Sequence, residues 1–158
     1  TIGPRQVGQY GMVVPRFVSW AKAGEHLNVY GDGTQTRSFC DVRDIVRAIT
    51  ALAEKESATG QIFNIGSTEE ITILDLARKV LTMVQSHQKT DQAADTSRHL
   101  DVDDRITLVP FSEAYEPGFE DLQHRVADTT KIREHIGWEP QIKLTETLND
   151  LITGNIDK

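Results

Sequence analysis

Residues 29–44, V-Y-G-D-G-T-Q-T-R-S-F-C-D-V-R-D, restrict this chain more than any other stretch. An apolar strand end (Val29, Tyr30) runs into a turn marked by Gly31 and Gly33. Polar residues (Gln35, Arg37) follow, and a helix start is signalled from Asp41 to Asp44. A strand, a reversal and a helix start so close together require mixed secondary structure. The chemistry is equally specific. An arginine offers a planar fork to phosphate oxygens, and glycines let backbone amides approach the same anion. A turn beside one fixed cation and one aromatic suits an anionic, ring-bearing small molecule. The alternative is a hairpin turn with a solvated arginine, and spacing alone leaves the two about even.

The rest of the chain alternates short apolar runs with amphipathic ones. Residues 14–23 predict a helix: Pro15 suits its first turn, Phe17, Val18 and Ala21 share a face, and Gly24 is placed for a left-handed C-terminal cap. Residues 27–30 predict a strand and 38–40 another short extended piece. A second helix starts at Asp41, with Asp44 positioned for a capping box, and Val42, Ile45, Val46, Ile49, Leu52 and Ala53 follow the helical period. Gly60 stops it. Residues 61–65 (Q-I-F-N-I) predict a strand covered on both faces. Thr72 and Asp75 then cap a third helix carrying Ile73, Leu76, Ala77, Val80, Leu81 and Val84. Residues 85–105 are polar and charged, and their composition predicts a flexible insert. A strand over 106–111, an irregular acidic stretch over 112–123, a short helix after Asp128 and a last helix through Leu144, Leu148, Leu151 and Ile152 complete the chain. The expectation is α/β (mixed α+β), a small mixed sheet with packed helices in one domain over 1–158.

Bulk properties exclude several functions. The net charge of -7 opposes nonspecific nucleic-acid binding, which needs cations against phosphates. No apolar run approaches the roughly 20 residues of a membrane span, and no signal-peptide pattern is present. The single cysteine, Cys40, has no partner for an internal disulfide, so a cytoplasmic setting is expected. The five histidines share no ligand spacing, and no metal site is expected. Thr1 to Arg5 reads as a strand exit, so the chain is expected to be the C-terminal part of a longer protein.

Two other positions carry competing readings. Asn64, in an otherwise apolar run, either ties down a neighbouring loop or meets a ligand. Arg125 either pairs with Glu120 or Asp121, or serves as a second phosphate contact or a proton donor. Two absences narrow the chemistry. No G-x-G-x-x-G turn follows a strand, so no dinucleotide-phosphate loop is found here. No tyrosine is followed four residues later by lysine: Tyr10, Tyr30 and Tyr115 precede Val14, Thr34 and Phe119.

Several motifs in order then resemble a family. T-I-G-P-R-Q at 1–6, V-Y-G-D-G-T-Q-T-R-S-F at 29–39, D-V-R-D at 41–44, F-N-I-G at 63–66, H-R-V-A-D at 124–128 and G-W-E-P at 137–140 resemble NAD-dependent nucleotide-sugar epimerases, dehydratases and decarboxylases, the extended short-chain dehydrogenase/reductases. Residues 115–125 (Y-E-P-G-F-E-D-L-Q-H-R) most resemble UDP-glucuronate decarboxylase-type enzymes. The resemblance implies the C-terminal, nucleotide-sugar-binding portion of an extended Rossmann-type enzyme. NAD and a Tyr/Lys pair would lie in a preceding domain, absent from this chain. It implies that Val29 and Tyr30 cup the base and ribose, and that Arg37 contacts the diphosphate. Asn64 would lie near the nucleotide, Met12 and Val13 would line the same pocket, and Arg125 would help protonate the sugar. Gln35 and Phe119 complete the expected substrate-binding set. Phe119 stands where the decarboxylase-like motif often carries tyrosine, and Ala127 where proline is usual. A homodimer is expected of the full-length enzyme. The rival reading is a non-catalytic nucleotide-sugar-binding or interaction module.

Overall fold

The computed structural model describes residues 1–6, 8, 12–91, 101–116, 118 and 121–154. Helix α1 (Val13–Ala23) buries Val14, Phe17, Val18 and Ala21, the i, i+3, i+4, i+7 stripe of an amphipathic helix, and ends on Gly24 at φ 78°. Strand β1 (Leu27–Tyr30) then buries Leu27 and Val29 and leaves Asn28 and Tyr30 half-buried, the period of two expected of a strand. The Gly31 to Gly33 turn leads into β2 (Thr36–Ser38), and α2 (Val42–Ala53) follows, capped by Asp41, whose carboxylate accepts from Arg43 N at 2.8 Å. Strand β3 (Glu70–Thr72) runs directly into α3 (Ile73–Asp91). Thr72 Oγ1 accepts the Asp75 amide at 3.0 Å there. The remainder is β4 (Ile106–Val109), α4 (Phe111–Ala114), α5 (Thr130–Ile136) and α6 (Leu144–Thr153).

The mixed helix-and-strand class holds. Among the described residues the strands form two separate two-stranded ladders: β1 pairs with β4 in parallel, and β2 with β3 antiparallel. An isolated parallel bridge joins Ile2 to Asp41. The main core lies where α1, α3 and α6 pack together against β1, and Leu76, Ala77, Val80, Leu81 and Leu148 are fully excluded from solvent. Each such leucine stabilises the fold by about 1.5–3 kcal/mol. A second cluster gathers Cys40, Ala48, Ile132 and Trp138, with Phe63 and Ile65 packed against it. The outer face of α2 leaves Val46 and Ile49 exposed. No helix of the described residues is long and apolar enough to cross a membrane.

Four local expectations are corrected. Residues 61–65 are not a strand: they follow an irregular path in which Phe63 and Ile65 face the second cluster while Ile62 is 84% exposed. A short apolar run without a ladder partner among the described residues buries only the side chains that meet the core. Asp44 does not close a capping box at α2. Its carboxylate turns to the 138–142 corner and accepts from Gln141 N and Ile142 N at 2.8 and 2.9 Å. The strand expected over 106–111 ends at Val109, because Pro110 caps α4. Helix α3 continues to Asp91, so 85–91 extend, beyond the buried stripe that ends in Val84, a helix already nucleated by it. At the other end of the stretch, Asp103–Arg105 form a turn of 3₁₀ helix with Arg105 buried. Residues 92–100 lie outside the described residues.

Candidate functional site

A cleft of about 1040 Å³ opens where the N-terminus of α1, the ends of β1 and β2, and three loops meet. Met12 and Val13 enter it from the start of α1, Tyr30 from the end of β1 and Arg37 from β2. Asn64 and Ser67 come from the loop before β3, and Asp121 and Arg125 from the segment before α5. This volume matches small-molecule sites, typically about 300–1,000 Å³.

One wall is aromatic. Tyr30 meets Tyr115 edge-on with centroids 5.7 Å apart, and Tyr115 lies 6.0 Å from Phe111. The turn glycine makes this approach possible: Gly31 has φ +74°, and a Cβ there would lie 2.5 Å from Phe111. Gln35 is buried and donates Nε2 to the Tyr30 carbonyl at 2.9 Å, so it braces the strand end from beneath. Further along, Arg16 stacks over Trp20 at 5.3 Å, and both residues line the cleft.

Charge is concentrated opposite that wall. Arg37 Nη1 donates to the carbonyls of Thr36 (2.7 Å) and Leu122 (2.8 Å), and Nη2 donates to Asp121 Oδ1. The ion pair considered for Arg125 is thus not with Asp121, whose carboxylate goes to Arg37. Arg125 is exposed at the cleft and makes no ion pair among the described residues. Asn64 is exposed rather than buried, and its Nδ2 donates to the Asp128 carbonyl at 3.2 Å, the loop-tying bond of one of its two readings. Cys40 sits on the cleft floor, where burial foremost and the Asp44 carboxylate next push its thiol up to about 11, so it is neutral near pH 7 and behaves as a small apolar group. No group of three or more potential metal ligands occurs among the described residues.

Met12, Val13, Tyr30, Gln35, Arg37, Asn64 and Arg125 therefore line one space. Val29 does not: its side chain is fully buried in the main core beneath the turn. Phe119 lies outside the described residues. Sequence reasoning missed Phe111, Tyr115 and Arg16 as wall residues. Tyr115 gave a faint signal, as an aromatic in an acidic stretch, but its pairing with Tyr30 depends on the β1–β4 register.

Similarity to known proteins, with this fold and cleft, places the chain among the extended short-chain dehydrogenase/reductases. It belongs to the GDP-mannose 4,6 dehydratase family, whose profile matches residues 1–151. It is 37% identical over 151 residues to a UDP-N-acetyl-alpha-D-glucosaminuronate decarboxylase of Bacillus cytotoxicus, covering 95% of this chain and 42% of that protein. A UDP-glucose 4-epimerase of Thermotoga maritima, solved with UDP-glucose, superposes with a TM-score of 0.71 at 29% identity, over 96% of this chain and 42% of that one. A UDP-glucuronic acid 4-epimerase of Bacillus cereus, solved with UDP-glucuronic acid and NAD, superposes at 0.69 and 25% identity, over 98% and 43%. The chain thus spans about two fifths of the length of these relatives.

Proposed function

We propose that this chain is the nucleotide-sugar-binding portion of an NAD-dependent epimerase, dehydratase or decarboxylase acting on UDP- or dTDP-sugars through a keto-sugar intermediate. The observation that carries the reading is the convergence of the aromatic pair Tyr30 and Tyr115 with Arg37 and Arg125 around one cleft. An aromatic wall takes a base and ribose by stacking and edge contacts. A guanidinium takes diphosphate oxygens through charge-assisted hydrogen bonds. Met12 and Val13 supply apolar cover, and Asn64 a polar contact beside the nucleotide. Arg125, exposed at the mouth, is the group on this chain assigned to the sugar end, as a proton donor.

The residues present do not fit the cofactor itself. The glycine turn after β1 leads into another strand, not into a helix whose N-terminus could hold a pyrophosphate. NAD, which would accept and return hydride, is therefore assigned to a preceding domain. The exposed apolar face of α2 and the isolated parallel bridge between Ile2 and Asp41 support such a neighbour. The whole enzyme is proposed to be a cytoplasmic homodimer. The test is to incubate the full-length protein with NAD and a panel of UDP-, dTDP- and GDP-sugars and identify products by mass. Conversion of a UDP- or dTDP-sugar is expected. Binding without conversion would favour the non-catalytic module.

A further inference from the structure

Arg37, assigned to the diphosphate, and Asn64, assigned beside the nucleotide, are both tied to the segment that carries Arg125. Arg37 holds the Asp121 carboxylate and the Leu122 carbonyl. Asn64 holds the Asp128 carbonyl at the far end. Between them, Thr36 N donates to the Gln123 carbonyl at 2.7 Å, and Thr36 Oγ1 lies 3.0 Å from His124 Nδ1. Apolar packing contributes little to this hold: Leu122 is 64% and Val126 49% exposed. The segment is docked on β2 by polar contacts, and its only side-chain ion pair inside the cleft, among the described residues, is Asp121 with Arg37.

The geometry points to Asp121 as a positioning residue: through Arg37 it couples the diphosphate end of the cleft to the placement of Arg125. This rests on the functional reading above. Arg37 uses Nη1 for two carbonyls and part of Nη2 for Asp121, so Nε and the rest of the fork remain for an anion. Removing the Asp121 charge leaves the carbonyl contacts that hold Arg37, and it also removes a negative neighbour from a bound diphosphate. These two effects oppose each other at the nucleotide. At the Arg125 segment no such opposition arises: it loses its charged anchor in the cleft and is held by the bonds to the Leu122, Gln123 and Asp128 carbonyls and by His124.

The test uses the full-length protein, with UDP as the binding probe and the UDP-sugar it converts in the panel as substrate. Asp121→Asn is expected to lower kcat about tenfold or more, because misplacing a reacting group costs rate, and to leave the UDP Kd within about threefold. Asp121→Glu should restore part of kcat. In an Arg125→Lys background, Asp121→Asn should cost little further, since both changes act on the same step. An unchanged kcat in Asp121→Asn, or full additivity with Arg125→Lys, would overturn the coupling. So would a weakened UDP Kd with kcat intact, which would limit Asp121 to orienting Arg37. Wild-type protein that neither binds UDP nor converts any sugar would overturn the functional reading as well, whereas active wild type with a silent Asp121→Asn overturns the coupling alone.

Discussion

At the scale of single residues, the end of β1 shows why the side chains of neighbouring strand positions do not face the same site. Neighbouring strand residues point to opposite faces, so Val29 and Tyr30 could not both cup a ligand, and the structure buries Val29 and half-exposes Tyr30. Sequence resemblance assigns both because it compares positions, not faces. The glycines of the turn were legible as a reversal, but what they sit against was not. Gly33 has φ +75°, and a Cβ there would lie 2.9 Å from both Leu74 Cβ and Val29 Cγ1. Gly33→Ala should therefore cost the left-handed backbone penalty of about 1–2 kcal/mol plus crowding of about 1 kcal/mol or more. Urea unfolding should show that loss in the midpoint with an unchanged slope. A variant as stable as the parent would mean that the turn relaxes freely.

At the scale of elements, amphipathic helices were the most legible part of the chain. The apolar stripes of α1 and α3 are buried as their spacing requires. The irregular run at 61–65 was not legible, because composition cannot reveal the absence of a strand partner. Polar junctions were half legible: Asp41 was identifiable as a cap, but its long-range partners were not. Its carboxylate also accepts from Thr147 Oγ1 on α6 at 2.7 Å, and Arg43 bridges it to Asp150 at 2.8 Å. Burial is the largest single influence on Asp41 and opposes ionisation. The bonds from Arg43 and Thr147 outweigh it and hold the carboxyl below its usual 3.8. A carboxyl whose folded pKa is lowered stabilises fully above its unfolded value, and this is lost as pH falls through the folded one. Asp41→Asn should then cost roughly 1–3 kcal/mol near neutral pH, as expected for bonds to a charged group. The penalty should shrink as pH drops below 3.8. Denaturation curves of both proteins across that range test this, and a pH-independent penalty would refute it.

At the scale of the whole molecule, the cleft draws on stretches of chain from residue 1 to residue 127, and no periodicity connects them. Its membership was legible only through the order of motifs, and that order brought Met12, Tyr30, Arg37, Asn64 and Arg125 to one space. The electrostatics are local rather than global. A chain of net charge -7 places Arg16, Arg37 and Arg125 around one opening and pairs one of them with Asp121. Under the proposed function, such a local cluster serves one compact anion, not a polyanion. The Arg37 fork is the element most directly assigned to that anion. Calorimetric titration of UDP into the full-length protein and its Arg37→Ala variant therefore tests the central claim. The dissociation constant should rise about tenfold or more, some 1.4 kcal/mol for one lost charge-assisted contact, and an unchanged constant would contradict the assignment of this cleft to a nucleotide diphosphate.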